Sequence, residues 1–127
     1  MSKHTKLNIG LFGFGVVGEG IFSVLKQTPS LNATIRKIAI KHLFKERNAP
    51  KELFTTDASE ILFDPSINVV VELIDDAEAA YQIVTQALKQ GKHVVSANKK
   101  MIAAHLPELI ELQKKHKVSL LYEAAVC

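Results

Sequence analysis

The sequence predicts an α/β fold, a Rossmann-type doubly wound parallel sheet, and three observations carry that expectation. Short apolar runs alternate with helix-length segments along the whole chain. The first of those runs ends in Gly13-Phe14-Gly15-Val16-Val17-Gly18, at the place where such folds turn from strand to helix. The 127 residues, 47% of them hydrophobic, suffice for one core and are too few for two domains of ordinary size.

Each element has its own local reason. Lys6 to Phe12 is mostly apolar and ends in glycines, as a buried parallel strand does. Val16 to Gln27 spaces Val17, Ile21, Val24 and Leu25 for one helical face, and Thr28-Pro29 closes it. Ile35 to Ile40 alternates apolar with basic residues and reads as the second strand. Residues 42 to 56 are polar and irregular, with a turn at Asn48-Ala49-Pro50. Thr56 to Glu60 offers a cap for a short helix over Ile61-Leu62-Phe63, which Asp64-Pro65 stops. Asn68 to Ile74 is rich in β-branched residues and is the clearest strand. Ala77 to Gln90 is a helix ended by Gly91 in the left-handed conformation. His93 to Ser96 is a fourth strand, roughly Ile102 to His116 a helix, and Val118 to Tyr122 a fifth strand. A doubly wound fold would continue from there, so the expectation is a sheet truncated after about the fifth strand.

Composition narrows the partners. No apolar run approaches the roughly 20 residues of a membrane span, and the polar start Met1 to Lys6 lacks the pattern of a signal peptide, so a cytoplasmic location is the default expectation. The net charge of +3 is mild and its basic residues are dispersed, which argues against nucleic acid and suits a phosphate-bearing small molecule. The single cysteine, Cys127, permits no intrachain disulfide, has no sequence-adjacent base and reads as a chain remnant rather than a nucleophile. His4, His42, His105 and His116 show no metal-ligand spacing; His105 and His116 read as surface residues, and His93 reads as a structural imidazole.

The glycine turn carries the chemistry. Gly13 supplies the tight turn, Gly15 admits a pyrophosphate to the backbone, and Gly18 lets helix and strand pack closely. Phe14, Val16 and Val17 complete a cradle whose free N–H groups meet phosphate charge at the positive end of the helix. The plainer alternative is a merely structural glycine-rich turn. At the end of the second strand an acid would bind the 2′-hydroxyl of NAD. Here Lys41 follows, with Lys45 and Arg47 beyond and no acid before Glu46, so the expectation is NADP with NAD tolerated. Against it stands the reading of these residues as solvated loop cations.

Beyond the glycine turn, Val70-Val71-Glu72-Leu73-Ile74, Ala87 to Lys99 with its Gly-Lys-His-Val-Val-Ser-Ala-Asn-Lys run, and Tyr122-Glu123-Ala124-Ala125-Val126 resemble the homoserine dehydrogenases over essentially the whole chain. That resemblance implies an oxidoreductase interconverting aspartate 4-semialdehyde and homoserine with NAD(P)H, on the way to threonine and methionine. It implies that residues 1–127 form the dinucleotide-binding domain and that the C-terminal substrate domain is absent. It places Ser96 and Asn98 near the nicotinamide ribose, and gives Lys99 both a cofactor-binding and a catalytic role. It makes Glu123 and Val126 half of a monovalent-cation site such as sodium occupies. It also implies a homo-oligomer at full length, with substrate reached through the missing domain, and leaves this chain inactive by itself. Asp75-Asp76 stands where many relatives have Gly-Gly; these acids either crowd a phosphate or cap the next helix, and capping is the favoured reading. The competing assignments are a related semialdehyde dehydrogenase or dihydrodipicolinate reductase, and a non-enzymatic nucleotide-sensing module.

Overall fold

The structure is a computed structural model describing residues 6–43 and 47–122. Its elements are β1 (Leu7–Phe12), α1 (Val16–Gln27), β2 (Ala33–Ala39), β3 (Phe54–Thr55), α2 (Ser59–Leu62), β4 (Val69–Glu72), α3 (Ala77–Lys89), β5 (His93–Ser96), α4 (Lys99–His116) and β6 (Leu120–Tyr122). The strands form one sheet in the order β3-β2-β1-β4-β5-β6, and every neighbouring pair is parallel. That is the Rossmann order, in which the chain builds outward from β1 in one direction and then from β4 in the other.

Strand alternation sends side chains to two cores. Ile9 and Leu11 of β1, with Ile35, Ile38, Val69 and Val71, pack under Ile21, Phe22 and Leu25 of α1. Phe12, Val70, Val94 and Leu120 face the other way, against Ile61 of α2, Val84 and Leu88 of α3, and Met101 and Leu109 of α4. Each fully buried Leu, Ile or Val contributes about 1.5–3 kcal/mol relative to exposure. Gly10 is fixed by the second core: a Cβ there would stand 2.3 Å from Ile61 Cγ2, so α2 rests directly on the β1 backbone.

The five expected strands are all present, and a sixth joins them. Phe54-Thr55 pairs with Ile38-Ala39 on the sheet edge, inside the stretch read from sequence as irregular. Two residues carry no periodicity, so only the pairing with β2 defines this strand. The sheet therefore counts six strands, and the fifth expected strand is β6, the last one described. The last helix starts at Lys99, not near Ile102, because the Asn98 side chain accepts from Met101 N at 2.9 Å and caps it there. That helix is kinked where Pro107 lacks an N–H, with His105 at φ −127°. Gly91 ends α3 at φ +76°, the left-handed residue the sequence calls for.

Candidate cofactor site

The strand order reverses between β1 and β4, and ligands of doubly wound sheets enter beyond the carboxyl ends of the strands at that reversal. A cleft of about 760 Å³ opens there. One wall is the β1–α1 turn, with Gly13, Phe14 and Gly15; the opposite wall is the segment after β4, with Leu73 to Asp76 and Ala79. Ile40, Lys41 and Arg47 from the β2 side, with Thr56 just after β3, close the far end.

The turn has the geometry of a phosphate cradle. Gly13 sits at φ +100°, a conformation that L side chains rarely adopt. Gly18 is buried, and a Cβ there would lie 2.8 Å from Gly13 O, so α1 packs against the turn itself. Around Gly15, by contrast, a Cβ would meet no atom within 4 Å. Gly15 also caps α1 without any side-chain hydrogen bond, whereas α3 and α4 are capped by Asp76 and Asn98. The positive end of α1 is thus left for an external acceptor, with open space before it; these residues fit a pyrophosphate. Phe14 holds the turn from behind, its ring edge-on to Phe22 and Phe54 at centroid distances of 6.2 and 5.3 Å.

Charge at the β2 end is cationic. Lys41 is exposed on the cleft margin, and the Arg47 guanidinium lies over the Phe54 ring, 5.5 Å from its centroid. Lys45 and Glu46 lie outside the described residues. At the β4 end, Asp76 accepts from Glu78 N at 2.9 Å and Ala79 N at 3.3 Å, so it spends its carboxylate capping α3, as the sequence favours. Asp75 stands exposed beside it on the cleft wall.

The carboxyl ends of β4 and β5 are knitted by a buried polar network. Glu72 has no exposed surface. Its Oε1 accepts from Ser96 Oγ at 2.6 Å and its Oε2 from Ile74 N at 2.8 Å. Burial pushes the Glu72 carboxyl above its ordinary value, against the opposing pull of these donors. Asn98 N donates to Ser96 Oγ at 3.3 Å, and Asn98 Nδ2 donates to the carbonyls of Ile74 and Asp75, each at 3.1 Å. Lys99 and Lys100 follow, both exposed, in the first turn of α4.

Among the sequence-selected residues, the cleft brings together Gly13, Phe14, Gly15 and Lys41. Val16 and Val17 begin α1 and are exposed, and Gly18 lies beneath. Ser96 and Asn98 are buried one strand away, their side chains turned to neighbouring protein groups, and they join the cleft only through Ile74 and Asp75. Lys99 does not line the cleft. Glu123, Val126 and Cys127 lie outside the described residues. Among the described residues no cluster of His, Asp or Glu could hold a metal ion. His93 is structural, its Nδ1 accepting from Ser119 N at 3.0 Å. His105 is only half-exposed and stacks on Tyr81 at 4.0 Å between ring centroids, so it is not the plain surface residue expected. Sequence reasoning missed Thr56, which depends on the undetected β3, and Glu72, whose signal was an acid closing an otherwise apolar strand.

Fold and turn together define an α/β domain of the dinucleotide-binding class. The family model described as "Homoserine dehydrogenase, NAD binding domain" matches residues 13–123, and the chain belongs to that family. It is 40% identical to a homoserine dehydrogenase of Synechocystis sp. over 127 residues, covering 94% of this chain and 29% of that protein. The corresponding figures for the Bacillus subtilis homoserine dehydrogenase are 33% identity, 94% and 30%. The crystal structure of S. aureus homoserine dehydrogenase superposes with a TM-score of 0.85 at 34% identity, covering 96% of this chain and 33% of that one. That of Thiobacillus denitrificans gives 0.84 at 33% identity, covering 95% and 30%. The chain therefore spans about a third of the length of the relatives it matches. No described helix is long and apolar enough to cross a membrane.

Proposed function

We propose that this chain is the NAD(P)-binding part of an oxidoreductase that interconverts aspartate 4-semialdehyde and homoserine in the cytoplasm. The observation that carries the reading is the uncapped start of α1 behind Gly13 and Gly15, open to the cleft at the strand-order reversal. Gly13 to Gly18 hold the pyrophosphate, with its charge met by the first N–H groups of α1. Lys41 and Arg47 lie on the side of the β2 end, where the adenosine ribose of a bound dinucleotide belongs. The nicotinamide belongs at the β4–β5 end, where the cofactor supplies or accepts a hydride. There the Asn98 and Lys99 segment bounds it, and Lys99 stabilises negative charge on the substrate oxygen. Substrate binding, proton delivery and oligomer contacts belong to the part of the relatives that this chain does not span, and Glu123 and Val126 supply half of a monovalent-cation site. No observation favours another semialdehyde enzyme, dihydrodipicolinate reductase or a nucleotide sensor.

NADP is the preferred cofactor in this reading, because Lys41 faces the cleft margin without an acid at that strand end. Titration calorimetry is expected to give NADPH an affinity about tenfold above NADH. Lys41→Ala should remove most of that difference and leave NADH binding unchanged. Equal affinities in the parent chain would overturn the preference, and binding of neither nucleotide would overturn the cofactor reading.

A further inference from the structure

The network at the ends of β4 and β5 has no evident purpose in stability alone. Burying a carboxylate is costly, and an apolar side chain of similar volume commonly serves a core as well or better. Yet Glu72 is fully buried, and its two oxygens take different donors, one from the segment after β4 and one from the end of β5. Ile74 N–H belongs to the segment after β4, which forms the cleft wall; Ser96 belongs to the end of β5 and receives Asn98 N–H. Asn98 closes the circuit by donating back to the Ile74 and Asp75 carbonyls, while its own oxygen caps α4 at Met101. Backbone adds one more tie, Ala97 N to Glu72 O at 3.0 Å. Every described buried side-chain nitrogen or oxygen in the molecule has a partner, so this circuit is complete as it stands.

We infer that Glu72 is a positioning residue for the nicotinamide end of the site: its carboxylate fixes the cleft wall at Ile74-Asp75 against the Asn98-Lys99 start of α4. A carboxylate suits this task because it accepts both donors as they stand: the Ile74 N–H, which can only donate, and the Ser96 hydroxyl, whose oxygen already receives Asn98 N–H. A glutamine in the same place keeps its oxygen on Ile74 N–H only by turning its NH2 to Ser96 Oγ, which reverses that bond and releases the hydroxyl hydrogen from it. The consequence is a shift of the two loops relative to each other, not a loss of the fold. The inference rests on the cofactor reading above and adds to it a residue that touches neither cofactor phosphate nor adenosine.

The test compares NADPH with 2′-phospho-ADP-ribose, the same molecule without its nicotinamide ring, on the parent chain and on Glu72→Gln and Ser96→Ala. Calorimetry gives the affinities, and the emission of bound NADPH reports the surroundings of the ring. In Glu72→Gln, NADPH affinity is expected to fall about tenfold and the emission to move towards that of free NADPH. Affinity for 2′-phospho-ADP-ribose should stay within about twofold. Ser96→Ala, which removes one donor to the same carboxylate, should move both readouts in the same direction by less, so the inference does not hang on one variant folding. Unchanged NADPH affinity and emission in Glu72→Gln would overturn the inference alone. Equal loss of both ligands would also overturn it, by making Glu72 a residue of the fold only. A parent chain that binds neither ligand would bring down the cofactor reading and this inference together.

Discussion

At the scale of single residues, three glycines of one motif do three different things, and their surroundings separate them. Gly13 is required by its φ of +100°, Gly18 by a backbone oxygen 2.8 Å from its missing Cβ, and Gly15 by neither, since open space surrounds it. The structure gives no fold-based reason for glycine at position 15, and the proposed cofactor reading supplies one in the close approach of a pyrophosphate. Gly15→Val is therefore expected to melt close to the parent and to bind no NADPH, whereas Gly18→Val should melt lower. Overpacking of this kind costs about 1–3 kcal/mol. Thermal melts and calorimetry on the two variants check the separation; parent-like NADPH affinity in Gly15→Val would show that the phosphates bind elsewhere.

At the scale of elements, what the sequence made legible were those with their own periodicity or caps. The strands β1, β4 and β5 and the helices α1 and α3 fall where apolar spacing and the Thr28-Pro29, Asp76 and Gly91 punctuation put them. The two-residue β3 had no such signal, being defined by Ile38 and Ala39 across the sheet, and Thr56 was lost from the site with it. Asn98 was read as a cofactor residue from resemblance, and its helix-capping geometry became visible only when Met101 N stood 2.9 Å away. Lys92 shows the same limit, because nothing in the run Gly91 to Lys99 marks it as structural. Its ammonium is buried and donates at 2.6 Å to both Asp64 O and Ile67 O, tying the α2–β4 connection to the start of β5. Asp64 O keeps a second donor in Ile67 N, but no other described donor reaches Ile67 O. Lys92→Met should thus leave a buried carbonyl unsatisfied and cost about 1–3 kcal/mol in urea unfolding. It should leave NADPH affinity as it was, since the residue sits at the amino end of β5, far from the cleft. A variant as stable as the parent would show that relaxation or water satisfies that carbonyl.

At the scale of the whole molecule, the domain is lopsided in a way that bears on what it can catalyse. α2, α3 and α4 cover one face of the sheet across its width, while α1 covers the other over β2, β1 and β4. Val95 and Leu121, on the α1 side of β5 and β6, remain exposed. The cleft presents a glycine turn and two cations near the β2 end, while Lys99 stands outside it at the start of α4. These groups include no array that would orient a second small molecule against the nicotinamide, and the described acid–base groups of the cleft are Lys41 at its β2 end, Asp75, and Asp76, which is engaged as a cap. Orientation of two reactants supplies about 7–11 kcal/mol of a barrier, and positioned proton transfer about 10²–10⁴-fold. A single cation in the role proposed for Lys99, worth about 10²–10³-fold as an oxyanion partner, does not make up that deficit. The purified chain is therefore expected to bind NADPH and yet show no oxidation of it with aspartate 4-semialdehyde, and no reduction of NADP with homoserine. Absorbance at the reduced-nicotinamide band in both directions is the measurement. Turnover above the no-protein rate would mean that one third of the relatives' length suffices for chemistry, and that the groups doing it lie among residues assigned here to cofactor binding.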